Sequence, residues 1–229
     1  MSISKLRKGL SVARSLVSFD RLRRVEALEL ILSYQMHRLP LATLEAHLQP
    51  APPLTAAHMS EARLYPARDS MLPLLPTGGC CAEVGTWRGD FSRRIASVCR
   101  PDDFHLFDID FGPLQEEPIR AAFEGRLHKH LGDSPANLGR FPAASFDWLY
   151  IDGLHTYEGV VRDLAAAHAV LKPGGYLMCN DYTNWDPSSS APYGVARAVN
   201  ELILAEDYRI VGLALEPAGF YDILIRKPA

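Results

Sequence analysis

The chain has 229 residues, 48% of them hydrophobic and 22% charged, the balance of a globular domain large enough to bury a real core. A formal net charge of −3 argues against nucleic acid as the main partner, because phosphate binding calls for a dense basic surface. No run of about 18 apolar residues occurs, so no membrane span is expected, and the cytoplasm is the expected compartment.

Residues 1–19 carry Lys5, Arg7, Lys8 and Arg14 with no acid before Asp20. They read as a basic amphipathic helix packed on the domain or a partner, with an organellar presequence as the alternative. Up to about residue 48 the apolar positions Leu22, Val25, Leu28, Leu32 and Met36 keep helical spacing. Pro50, Pro52 and Pro53 mark a connector, since proline fixes φ and removes a donor. A short helix is expected over 56–67. Residues 1–69 are therefore expected to form a helical segment serving as lid, substrate contact or dimer surface, with room for a homodimer through these helices.

From residue 70 the pattern alternates. Strands are expected at 80–84, 104–108, 127–131, 146–151 and 175–180, and helices at 89–99, 114–124, 157–171 and 194–206. Alternation with short links implies a parallel sheet covered on both faces. Residues 208–215 and 220–226 break the rhythm as two strand-like runs that should pair antiparallel. Residues 183–192 form a polar loop rich in Ser and Pro. Cys80, Cys81, Cys99 and Cys179 show no CxxC spacing and mostly sit in apolar runs, so they read as reduced core residues with no disulfide framework and no zinc site.

Carboxylates recur where strands end. Glu83 closes the first strand and is followed by a turn with Gly85 and Gly89, which lets the backbone approach a ligand. The middle glycine of a dinucleotide fingerprint is missing, and Glu83 would repel a pyrophosphate. Asp108, at the end of the second strand, can accept both hydroxyls of a ribose, with Asp110 two residues further on. Asp133 precedes Ser134 at a helix start and doubles as a capping residue. Asp152 ends the fourth strand, and Asn180 and Asp181 end the fifth. In a parallel sheet these ends meet at one edge, where open α/β folds bind ligands. His155 follows Asp152 by three residues. His128 and His130 share one face of a strand and read as a packed or solvent-facing pair, His168 reads as structural, and Arg162 and Asp163 read as a solvated helix face. Tyr65, Arg68, Trp185 and Tyr193 are expected near the mouth of the site.

EVGTWRGDFS at 83–92, Asp108, LGDS at 131–134, FDWLYIDGLHTYEGV at 146–160, LKPGGY at 171–176 and the terminal hairpin together resemble a class I S-adenosylmethionine-dependent methyltransferase. The IDGxHxYEGV and LKPGGxxxxxDY patterns are similar to the small-molecule O-methyltransferases related to macrocin O-methyltransferase. The resemblance implies a Rossmann-like fold, a seven-stranded mostly parallel sheet with a C-terminal antiparallel hairpin, over residues 70–229. It implies Glu83, Gly85, Thr86 and Gly89 around the methionine part of the cofactor, Asp108 on its ribose, Asp133 with Ser134 near its adenine, and Asp152 beside it.

Methyl transfer to a hydroxyl needs an oxygen that loses its proton. A divalent ion, Mg²⁺ above all, can stabilise the resulting alkoxide. Asp152, Asn180 and Asp181 are the expected oxygen ligands, one acid fewer than the related pattern often has. His155, with an ordinary pKa of about 6.5, is the expected general base. The expected reaction is O-methylation of a small hydroxylated molecule, with no nucleic-acid or membrane partner. The alternatives are a cofactor-binding protein without catalysis and an N-methyltransferase of small molecules. The acceptor itself is not written in the sequence.

Overall fold

The computed structural model describes residues 50–186, 191–216 and 219–229. The basic segment and the helices expected before residue 49 lie outside them. Residues 51–183 and 194–229 form one compact unit, to which residues 184–193 do not belong. Within residues 184–193, β7 (Trp185–Asp186) pairs antiparallel with β8 (Ala191–Pro192).

The main unit is built on an eight-stranded sheet. Its strands are β1 (Arg63–Tyr65), β2 (Cys80–Val84), β3 (Asp103–Asp108), β4 (Arg126–Leu131), β5 (Phe146–Ile151), β6 (Leu171–Cys179), β9 (Arg209–Leu215) and β10 (Tyr221–Arg226), in the spatial order β1-β9-β10-β6-β5-β2-β3-β4. All neighbours run parallel except around β10, which is antiparallel to both β6 and β9. The helices are α1 (Asp90–Cys99), α2 (Glu116–Arg120), α3 (Ser134–Leu138), α4 (Tyr157–Val170) and α5 (Val195–Glu206). Two expectations change. The short helix expected over 56–67 is instead turns followed by β1, which pairs with β9 and adds an eighth strand. Residues 51–69 thus share the unit of the sheet, and the boundary expected at 69/70 falls inside it.

The alternation of β5 shows how sequence becomes layers. Trp148 and Tyr150 enter the cluster on one face, with Phe91, Ile95 and Leu106, while Leu149 and Ile151 enter the other, with Val160, Leu164 and Val199. Successive side chains of a strand point to opposite faces, so the unbroken apolar run of residues 148–151 must be covered on both. α1 carries Phe91, Ile95, Ala96 and Cys99 on its buried side, and α4 starts where the Thr156 side chain accepts from the Gly159 N–H at 3.3 Å. Cys81, Cys99 and Cys179 are buried and Cys80 is partly so, in keeping with their place in apolar runs. No helix among the described residues is long and apolar enough to cross a membrane.

The sheet reverses its winding between β2 and β5. β3 and β4 extend from β2 in one direction, and β6 extends from β5 in the other. The carboxyl ends of β2 and β5 meet there: the Asp152 N–H donates to the Val84 carbonyl at 2.8 Å, and the Gly85 N–H donates to the Phe107 carbonyl at 2.9 Å. A crevice at such a reversal is the expected ligand position.

Candidate functional site

A cavity of about 480 Å³ opens at this reversal, lined among others by Gly85, Trp87, Asp108, Asp110, Ser134 and Asp152. Its charged lining is mostly acidic: Asp108, Asp110, Asp133, Asp152 and Asp163, against Arg162 alone. Arg162 is itself paired to Asp133, at 2.8 Å. A pocket of this charge suits a cationic, hydroxyl-bearing ligand and repels a pyrophosphate. Trp87, Ile109 and Leu154 line the same cavity and are 62%, 79% and 65% exposed. Three large apolar side chains left open around one crevice are a surface that a flat ring would cover.

The turn after β2 is held by Asp108. Its Oδ2 accepts from the Thr86 and Trp87 N–H groups at 2.8 and 2.9 Å, and its Oδ1 accepts from Asp110 N–H at 3.1 Å. One carboxylate thus pins the turn while facing the cavity. Gly85 has φ 85°, and a Cβ there would lie 1.9 Å from the Asp152 carbonyl oxygen. Only glycine permits both the left-handed backbone and this approach. Of the residues expected around a cofactor, Gly85, Asp108, Asp133, Ser134 and Asp152 line the cavity. Glu83, Thr86 and Gly89 do not. Glu83 is buried and accepts from Ser92 Oγ, Thr86 is buried in the turn, and Gly89, at φ 81°, caps α1. These three shape the site from behind.

Arg162 is exposed, as expected of a solvated helix face, but Asp163 is not. Both line the cavity, and Asp163, only 4% exposed, accepts from Ser134 Oγ. Their place next to the loop after β4 is set by the packing of α3 on α4, which spacing within one helix could not reveal. Ile109, Leu154 and Trp87 were equally hidden, although an apolar residue beside a strand-end acid is a signal that could have been used.

A second set of polar groups gathers beside Asp152. The Arg68 guanidinium donates through Nη1 to Tyr150 Oη at 2.8 Å and to Asn180 Oδ1 at 3.3 Å, and lies 4.7 Å from the centre of the Phe91 ring. Tyr150 Oη donates toward Asp222 Oδ2 at 3.2 Å and lies 3.4 Å from Asp152 Oδ2. Burial raises the Asp152 carboxyl to about 7 against the pull of Arg68, and raises Asp222 and Glu83 each to about 8. Burial opposes the charge of Arg68, but Tyr150, Asp222 and Asp152 together hold its pKa above the ordinary value. Asp222 and the cationic role of Arg68 were not legible in the sequence, because β10 and the segment after β1 reach this edge only through the sheet order.

His155 stands between two strand-end carboxylates. Its Nε2 lies 3.6 Å from Asp152 Oδ1 and 3.6 Å from Asp181 Oδ2, and its carbonyl accepts from the Gly194 N–H at 2.8 Å. Asp181 is held at φ 51°, a left-handed conformation that costs a non-glycine residue roughly 1–2 kcal/mol. Strain of this kind concentrates where a side chain must be aimed.

The oxygen set expected for a metal does not assemble. Asn180 turns its N–H group to Asp152 Oδ1 at 2.8 Å and its oxygen to the Arg68 guanidinium. The imidazole Nε2 occupies the position between the carboxylates of Asp152 and Asp181. A guanidinium and an imidazole therefore stand where hard oxygen donors would have to face a dication, and the residues do not fit Mg²⁺ as expected.

Burial also gives a stability prediction. A carboxyl whose folded pKa lies above its unfolded value keeps its proton on folding, so stability falls as pH rises from about 4.5 toward 8. Glu83, at about 8, contributes in this direction, by up to about 1.4 kcal/mol per pH unit. Thermal melts of Glu83→Gln between pH 5 and 8 should show a shallower decline than wild type; identical slopes would refute the buried, protonated Glu83.

Comparison with known proteins agrees with this geometry. Residues 82–182 match the family model described as "Methyltransferase domain". An rRNA methylase from Streptococcus thermophilus superposes with a TM-score of 0.52 at 13% identity, covering 70% of this chain and 94% of that one. TrmK from M. capricolum, solved with S-adenosyl-homocysteine, gives 0.51 at 14% identity, covering 70% and 67%. An O-methyltransferase family protein from Burkholderia thailandensis gives 0.51 at 11% identity; this chain covers 53% of its length and 69% of its own. At these identities the likeness is one of fold. No curated protein matches the sequence. Residues 82–182 are thus similar to a methyltransferase domain, and the fold, a mostly parallel sheet closed by an antiparallel hairpin, is the Rossmann-like fold of these methyltransferase neighbours.

Proposed function

We propose that the protein transfers a methyl group from S-adenosylmethionine to a hydroxyl of a small molecule, using His155 as general base. The observation that carries this reading is the juxtaposition of an acidic, apolar-rimmed cavity with a histidine flanked by two carboxylates, Asp152 being common to both. S-adenosylmethionine bound in the cavity supplies an electrophilic methyl on a sulfonium. Asp108 would hold the ribose hydroxyls, Ile109 and Leu154 would cover the adenine, and Ser134 with Asp163 would meet its edge.

The rest of the chemistry belongs to side chains. The acceptor hydroxyl would give its proton to the His155 imidazole as its oxygen takes the methyl group. Asp152 and Asp181 stabilise the imidazolium formed and keep the ring in place. Arg68 and Tyr150 hold Asp152 from below, so that a buried carboxylate keeps a charged partner. A divalent ion has no step here. Chelation by EDTA should leave the rate within about two-fold and added Mg²⁺ should not restore or raise it; a saturable Mg²⁺ requirement would overturn this part.

The acceptor class follows from resemblance and charge. The motifs at 146–160 and 171–181 resemble the macrocin O-methyltransferase-like enzymes, and the acidic site disfavours a polyanion. RNA methylases share the fold, so the deciding experiment offers radiolabelled S-adenosylmethionine with pools of hydroxylated small molecules and, in parallel, with tRNA and rRNA. Label in an ether of a small molecule is the expected result. Label in RNA, or on an amine, would contradict it.

A further inference from the structure

At the opposite edge of the sheet lies a cluster of metal-binding side chains that the methyl-transfer chemistry does not use. Asp103 and His105 stand two apart on β3, and His128 and His130 two apart on β4, so all four project from one face. The register pairs His105 with His128 and Phe107 with His130. β3 runs from Asp103 to Asp108, which puts Asp103 roughly 17 Å and His105 roughly 10 Å along the strand from the ribose-facing carboxylate.

We infer that Asp103, His105 and His128 form a binding site for a transition-metal dication of the Zn²⁺ type, supported by His130. One ligand atom from each of the three lies within 4.8 Å of the others, and His128 Nε2 is already 3.0 Å from Asp103 Oδ1. Four ligands around Zn²⁺, bound at about 2.0–2.1 Å, stand about 3.3 Å apart, so closure needs only ring rotation of the histidines. The rings of His105 and His128 now stack at 4.4 Å and must tilt to share an ion. His130 Nε2 lies 2.9 Å from His105 Nδ1, which leaves Nε2 of His105 as the ligand atom and makes His130 the orienting partner. Two imidazoles and one carboxylate select a borderline metal over Mg²⁺ or Ca²⁺, with water completing the shell.

Asp103 now accepts from Arg126 at 2.7 and 2.6 Å. That arginine side chain is 73% exposed and can leave one oxygen to the ion without stranding a buried charge. The His128 side chain, 39% exposed, gives access from solvent, while His105 is buried against Phe141 and Phe146. An ion here would clamp the terminal strand β4 to β3 and act on stability, not on chemistry.

The test titrates the metal-free 229-residue chain with Zn²⁺ by calorimetry and measures bound metal after dialysis. One Zn²⁺ per chain is expected, retained in Asp152→Asn/Asp181→Asn and weakened at least ten-fold in His128→Gln. Asp103→Asn, which keeps size and removes charge, should weaken binding in the same way. Zn²⁺ should raise the melting temperature of wild type but not of His128→Gln. Wild type without bound Zn²⁺, or both cluster variants binding as tightly as wild type, would overturn the inference.

Discussion

Replacing His155 by Ala should lower kcat by about 10²–10⁴-fold, the usual contribution of a positioned base, while S-adenosylmethionine affinity changes less than about three-fold. His155 does not line the cavity; it meets the reaction only through the acceptor proton. The loss should shrink with acceptors of lower hydroxyl pKa, because these need less help to ionise. His155→Gln, of similar size, separates the base from a packing role. If His155→Gln retains more than a tenth of wild-type kcat, the base is elsewhere.

Gly85→Ala should abolish cofactor binding while leaving a folded but less stable protein. The new methyl would lie 1.9 Å from the Asp152 carbonyl, a backbone atom that cannot swing aside. The left-handed φ of 85° adds roughly 1–2 kcal/mol for any residue with a Cβ. Relief comes only by spreading the ends of β2 and β5, where the Asp152 N–H bonds the Val84 carbonyl. Such a shift moves the Thr86 and Trp87 amides away from Asp108 and displaces Asp152, the group shared by the cavity and the base. A loss of at least 100-fold in affinity is expected. Affinity within three-fold of wild type would show that the approach of these two strands is not what shapes the cavity.

Much of this architecture is legible in the sequence because the rules behind it are local. Strand-end acids Asp108, Asp152 and Asp181 follow apolar runs that must be strands, and parallel connection brings their ends to one edge. The hairpin of β9 and β10 announces itself through two apolar runs about a turn. The other features depend on packing between distant segments. β1 is three residues long and is recruited by β9, a pairing that the helix expected over 56–67 does not announce. Asp163 has the look of a surface acid until α3 packs on α4 and Ser134 reaches it. Asp222 and Arg68 approach Tyr150 from opposite ends of the chain. The metal expected at Asp152, Asn180 and Asp181 rests on residue type, strand-end position and resemblance, and none of these says that Asn180 faces a guanidinium. The same holds for His128 and His130, whose partners, Asp103 for the first and His105 for the second, arrive on a neighbouring strand.

The central claim is that the acidic cavity at the β2–β5 reversal holds S-adenosylmethionine. Isothermal titration of the full chain with S-adenosylmethionine, in wild type and in Asp108→Ala, tests it directly. A single site in wild type, weakened at least ten-fold in Asp108→Ala, is the predicted result. Absence of binding in folded wild type, or equal binding in the two proteins, would contradict it.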